Sequence, residues 1–255
     1  MQVDITLFLL VLMRMTGCVM FNSIFGRSNI PVIVRVGLTV VLSIVCFQAL
    51  PAQTVEIHSF LVLTVSLLEQ LLIGYIVGYV LQLFLSVIQI SGENMDILTG
   101  LSMSKIYDPG SNVSMPLSAS VINAMFILIF FATNAHLTLI KVFAKLCLLV
   151  PYEGLSYSPA LFENLVDLFS LILIYAVKLG LPMLAAQLVT EVAVGIIMRA
   201  VPQIDVFVIN IQVKLIIGVV VILVLVPSLA AFLERLITLM FDNINGVFSL
   251  LMAGT

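Results

Sequence analysis

Residues 59–90 read SFLVLTVSLLEQLLIGYIVGYVLQLFLSVIQI, and this stretch decides the fold class. Glu69 is its only charge. A helix needs about 20 mainly apolar residues to cross a bilayer, and this run exceeds that. It predicts an all-α integral membrane protein. Composition agrees: of 255 residues 62% are hydrophobic and 9% charged, against roughly 45–50% and 25% in a soluble domain. Ten Lys and Arg with thirteen Asp and Glu cannot cover the surface of a soluble fold of this length. A soluble enzyme and a disordered chain do not fit. A formal net charge of −3 gives no basic field for phosphates, so nucleic acid is not an expected partner.

Working outward, further apolar runs cover about 5–22, 32–50, 117–133, 162–199 and 206–233, with an apolar tail at about 236–252 after Glu234-Arg235. Pro51 ends the second run and Pro116 precedes the fourth. Pro182 and Pro227 lie inside later runs and predict a kink or break there. The expectation is about six long, kinked apolar helices, an amphipathic helix and a C-terminal apolar helix. Within 135–150, Thr138, Lys141 and Lys145 share one helical face. That pattern fits a helix lying on the membrane surface and equally a docking face for another subunit.

The third and fifth runs are too long for roughly 30 Å of hydrocarbon without strong tilt or breaks. Arg27 and Arg35 place the first loop in the cytoplasm, and a strict zigzag then puts Lys141 and Lys145 outside. Some apolar helices are therefore expected to be buried in protein rather than lipid. No low-complexity linker divides the chain, which reads as one domain, 1–255.

Met1-Gln2-Val3-Asp4 has no cation ahead of the first apolar run, and Arg14 sits inside it. Both features argue against a cleaved signal. Met15-Thr16-Gly17-Cys18 resembles a lipoprotein box without the charged leader, so the first run is expected to be a retained helix. Cys18, Cys46 and Cys147 are far apart, form no CxxC, and have only His58 and His136 as possible co-ligands. They read as buried small apolar residues, with no metal or cofactor. No Ser/His/Asp set, HExxH or phosphate-binding GxxxxGK[ST] occurs, and no enzyme is expected.

Arg14, Glu69, Lys178, Glu191 and Lys214 lie in or beside apolar helices. Each would be costly facing lipid, so each is expected to face a partner, a cavity or an interface. Buried ion pairs fixing helices together are one reading; an ion or substrate path is the other. Gly74-Tyr75-Ile76-Val77-Gly78 is a GxxxG pattern, which lets helix backbones approach closely.

Gly100 to Asn112 separates two long apolar helices and carries the turn residues Asp108-Pro109-Gly110-Ser111-Asn112. Leu101, Met103 and Ile106 are apolar members that an ordinary solvent loop does not need. Such a segment suits packing into a pore, and a surface loop is the alternative.

Several segments together resemble the FliR family, the flagellar biosynthesis proteins of the type III export gate, over nearly the whole chain. They are Glu69-Gln70-Leu71-Leu72-Ile73-Gly74, Gly78, Gly92-Glu93, Gly100-Leu101-Ser102, Asp108-Pro109-Gly110-Ser111 and Asn134-Ala135-His136. A second signature is Glu191-Val192-Ala193-Val194-Gly195, Arg199-Ala200-Val201-Pro202-Gln203, Phe207 and Lys214, with Pro31 and Arg35 early in the chain. Asp205 departs from the Asn common in that family.

The resemblance implies one subunit assembled with FliP and FliQ homologues into a helical gate, with FlhB and FlhA homologues as further partners. It implies a FliP-like part joined to a FliQ-like part, bent helical hairpins held partly above the bilayer, and unfolded protein substrates. It also implies a plug loop within about 99–116, with Leu101, Met103, Ile106, Tyr107, Asp108, Pro109, Gly110 and Met115 as its members. Glu69, Gly74, Gly78, Glu93, Glu191, Arg199, Pro202, Gln203 and Lys214 are the expected helix and subunit packing positions. The implied location is the bacterial inner membrane, within the flagellar basal body. The alternative function is a proton- or small-solute-coupled transporter using the buried charges, which should work alone or as a homo-oligomer with a midplane site.

Overall fold

The computed structural model describes residues 5–26, 30–51, 59–103, 116–152, 159–200 and 206–253. Seven helices occur among them and no strands: α1 Ile5–Met20, α2 Val32–Ala49, α3 Phe60–Thr99, α4 Leu117–Ala132, α5 Ala135–Leu149, α6 Pro159–Ala200 and α7 Val206–Ala253. The expected all-α class is correct. α2, α3, α6 and α7 are each long and apolar enough to cross a membrane, and α4 with α5 makes a fifth candidate if the pair is one span.

Prolines and left-handed residues set several boundaries. Pro31 and Pro116 precede α2 and α4 with extended backbone, φ −54° and −57°, as suits a residue with a fixed φ at a helix start. The Leu50 N–H closes α2 on the carbonyls of Cys46 and Phe47, and Pro51 follows. Gly100 ends α3 at φ +80°, the left-handed geometry that glycine adopts without a Cβ penalty. Asn134 separates α4 from α5 at φ +56°.

Three expected boundaries are corrected. The third helix does not stop near Ile90 but runs to Thr99. Glu93 and Asn94 lie on its exposed side while Met95, Asp96 and Thr99 are buried, so the helix continues as an amphipathic one where the purely apolar run ends. The apolar tail is not a separate helix. Leu233, Leu236, Met240, Ile244, Val247 and Leu251 stay buried at three- and four-residue intervals along α7, and Glu234-Arg235 falls on the exposed side of one unbroken element. Pro182 and Pro227 do not break α6 or α7, in keeping with the tolerance of proline in long apolar helices whose freed carbonyls find other partners.

The chain forms two compact units. One comprises Met1–Leu85, Asn134–Phe169 and Thr238–Thr255; the other comprises Ser86–Thr133 and Ser170–Ile237. In the first, α1 packs on α2 and α5. Leu10, Val11, Met15 and Cys18 of α1, Ile73, Val77 and Val80 of α3, and Leu139, Phe143 and Leu146 of α5 are sealed from solvent. In the second, Ile88, Met95, Ile122, Phe126, Phe130, Ile172, Met183 and Leu233 are buried.

Candidate functional site

The segment expected to act as a plug leaves α3 at Gly100 and returns at Pro116, so the chemistry of its two roots is the first question. Leu101–Met103 forms one 3₁₀ turn, with Leu101 partly exposed. Ile106, Tyr107, Asp108, Pro109, Gly110 and Met115 lie outside the described residues, and so do Pro202 and Gln203.

A helix start leaves backbone N–H groups without intrahelical acceptors, and Pro116 offers α4 no side-chain cap. Asp96 on α3 supplies one instead. The Leu117 N–H donates to Asp96 Oδ2 at 2.6 Å. The Ser118 N–H donates to Oδ1 at 3.1 Å and the Ser118 hydroxyl donates to the same oxygen at 2.5 Å. Asp96 is 4% exposed, so an anion buried at a helix N-terminus has its acceptors filled by that terminus. One turn earlier, Gly92 stands so close to Ala119 that any Cβ would collide with it. The end of α3 and the start of α4 are thus joined by backbone contact and by three hydrogen bonds.

The same unit anchors α3 to α6 and α6 to α7. The Ser91 hydroxyl donates to the Ala176 carbonyl at 2.5 Å, and Gln187 Nε2 donates to the Lys214 carbonyl at 3.0 Å. Gly218 on α7 approaches Thr99 with no room for a Cβ. Lys214 Nζ meets Glu191 Oε1 at 2.5 Å. These two charges pair with side chains 18% and 54% exposed. Arg199 stands exposed in the last turn of α6 and Glu93 is exposed on α3. Lys178 is exposed, its ammonium 5.2 Å from the Tyr175 ring centre.

The other unit holds Arg14, fully buried. Its guanidinium donates through Nε to Gln70 Oε1 at 2.8 Å, and Nη2 reaches the same oxygen. Nη1 donates to the Leu146 and Val150 carbonyls at 3.0 and 2.7 Å, and Nη2 to the Pro151 carbonyl at 2.8 Å. The Tyr152 ring lies 3.9 Å from the guanidinium carbon. A cation thus fills the negative, acceptor-rich end of α5. The Tyr152 hydroxyl donates to the Cys147 carbonyl at 3.2 Å, and burial pushes its ionisation well above the ordinary tyrosine range.

Gly74 and Gly17 face each other across α3 and α1: a Cβ on Gly17 would stand 2.8 Å from Gly74 Cα, and one on Gly74 would stand 2.9 Å from Gly17 Cα. A Cβ on Gly78 would stand 3.1 Å from the Phe21 carbonyl. Glu69 beside them is partly exposed. On α5, Thr138, Lys141 and Lys145 are all exposed while Leu139, Val142, Phe143 and Leu146 are buried in protein. The apolar side of α5 is therefore core rather than a lipid-facing surface.

Sequence reasoning missed Asp96, Ser118, Gln70 and Tyr152 as partners. Asp96 lies twenty-one residues from Leu117, and nothing in either local pattern links them. The acceptor-free proline at the start of α4 is the one signal that an outside cap was needed.

The sequence has relatives among known proteins. The flagellar biosynthetic protein FliR of Escherichia coli K12 is 28% identical over 238 residues, covering 93% of this chain and 91% of the relative. That of Bacillus subtilis 168 is 24% identical over 255 residues, 95% of each. The Yop proteins translocation protein T of Yersinia pestis is 25% identical over 244 residues, 92% of each. The family model of the bacterial export proteins, family 1, matches residues 5–240. That span takes in all seven helices, the last as far as Met240, and the chain belongs to the bacterial export proteins, family 1.

Proposed function

We propose that this chain is a non-enzymatic core subunit of a flagellar type III export gate in the bacterial inner membrane, within the basal body. It assembles with FliP and FliQ homologues into the channel for unfolded substrates, with FlhB and FlhA homologues as further partners. The chain acts as one gate domain, and its segment 101–115 closes the channel at rest. The observation that carries this reading is the family match over residues 5–240.

Surface and length support it. In its most apolar window only 11% of α7 is buried, against 61% for α3. Val219, Val220, Leu223 and Val224 of α7 and Val189, Val192 and Ile196 of α6 are exposed, a large apolar area that marks contact with other chains or lipid. At 1.5 Å per residue, the 48 residues of α7 reach about 72 Å, more than twice a hydrocarbon layer of about 30 Å. Leu233 to Leu251 of α7 pack inside the chain, and the exposed stretch from Leu215 to Val226 is left for neighbouring chains or lipid.

The test is expression with and without the FliP and FliQ homologues. The chain alone should aggregate or be degraded, and co-expression should give a stable hetero-oligomer. A monodisperse particle of this chain alone that moves protons or small solutes would establish the transporter reading instead. For the closing segment, shortening within 104–113 should leave assembly intact and let ions or small solutes leak. An assembled gate that stays tight after that deletion would return the segment to an ordinary loop.

A further inference from the structure

We infer that Asp96 is a positioning residue that holds the end of α3 and the start of α4 together as one body throughout the export cycle, so that the two roots of the closing segment keep a fixed separation. The inference rests on the proposed closing role of residues 101–115.

Four observations carry it. Asp96 accepts three hydrogen bonds from the first turn of α4, at 2.6, 3.1 and 2.5 Å, using both carboxylate oxygens. The carboxylate is buried and faces a helix N-terminus, where ionised acceptors make strong, short hydrogen bonds. The cap is supplied from outside α4, because Pro116 provides none of its own. And the Gly92–Ala119 approach leaves no space for even a methyl group between the helices, so the two backbones are in direct contact one turn from the clamp.

The two N–H groups that Asp96 takes belong to the residues immediately following Pro116, where the chain returns from the segment. On the outgoing side Thr99, one turn from Asp96, is buried and donates to the Met95 carbonyl at 2.9 Å, and Gly100 makes the turn that leaves the helix. Parting the two roots would have to break the Asp96 bonds to Leu117 and Ser118 and leave their donors unpaired away from water, which proteins avoid. Whatever opens the channel therefore leaves α3 and α4 joined.

The experiment uses the assembled gate, co-expressed with its partner subunits. Asp96→Ala should assemble but conduct ions at rest several-fold above the parent. Asp96→Asn, which keeps one acceptor, should leak less, and a merely structural loss of assembly would not produce that graded conductance. Asp96→Cys with Ser118→Cys replaces the clamp by thiols. Diamide, which takes up the two electrons and two protons released, joins them as a disulfide. The parent chain under diamide is the control for Cys18, Cys46 and Cys147.

The oxidised pair should be tight at rest and still export substrate; the reduced pair should leak. Export that stops on oxidation would overturn the inference, because it would mean that α3 and α4 must part. So would an assembled Asp96→Ala gate as tight as the parent while the 104–113 deletion leaks. A tight 104–113 deletion would instead overturn the closing role itself, and the disulfide arm would still report whether the two helices part during export. If Asp96→Ala fails to assemble, the cysteine pair with and without diamide decides.

Discussion

Arg14 Nε and Gln70 Oε1 stand 2.8 Å apart although 56 residues separate them in sequence. Gln70 is held in place by its own amide, which donates to the Tyr152 carbonyl at 3.2 Å. The pair thereby ties α1 and α3 to the residues that follow α5. Arg14→Ala would strand several buried carbonyls, each costing about 1–3 kcal/mol when left without a donor. A loss of about 3 kcal/mol or more is expected, read as lower thermal stability of the purified complex. Arg14→Lys should rescue only part of it, since an ammonium lacks the planar fork. Equal stability of Arg14→Lys and the parent would show that charge, not geometry, matters.

The Gly17–Gly74 approach gives a second expectation. Gly17→Ala or Gly74→Ala places a methyl group against backbone that cannot move aside, and overpacking of this kind costs about 1–3 kcal/mol. Gly180→Ala meets nothing within 4 Å and should be neutral, or stabilising by up to about 1 kcal/mol, because alanine favours the helix. A melting series over the three variants checks the order.

For Asn134 the two replacements should differ in cost. At φ +56° a β-carbon is strained, so Asn134→Ala should cost about 1 kcal/mol and Asn134→Gly little or nothing. Chemical denaturation of the complex in detergent distinguishes them.

The Lys214–Glu191 pair is partly open to solvent in this chain. Exposed pairs contribute about 0–1 kcal/mol, so Glu191→Gln should scarcely change the stability of the isolated chain. If a partner subunit covers the pair, removing one charge leaves the other buried and alone, at a cost of about 3–5 kcal/mol. Assembly yield should then fall while the isolated chain melts as before. Equal small effects in both states would place the pair on an uncovered surface.

Sequence legibility followed the range over which each force acts. Apolar length and the Gly74–Gly78 spacing could be read because burial and helix periodicity are local properties of the string. The extension of α3 past Ile90 could not be read from hydrophobicity, since Met95 and Thr99 are buried while Glu93 and Asn94 face outward. In the sequence Asp96 is one of several polar residues, with Glu93 and Asn94, ahead of the segment at Gly100. Its role depends on a helix start twenty-one residues away, a contact that only tertiary packing creates. Arg14 reads as costly in an apolar helix, yet its carbonyl partners carry no side-chain signature at all.

The length of α7 bears on how such a chain is made. A helix of about 72 Å leaves a ribosome as an apolar element that no bilayer can store whole. Its C-terminal third folds into the chain's own core, and the stretch from Leu215 to Val226 stays uncovered until lipid or other subunits meet it. The cellular half-life of the chain should therefore be set by the supply of newly made partners, and pulse-chase labelling in cells with and without them measures it.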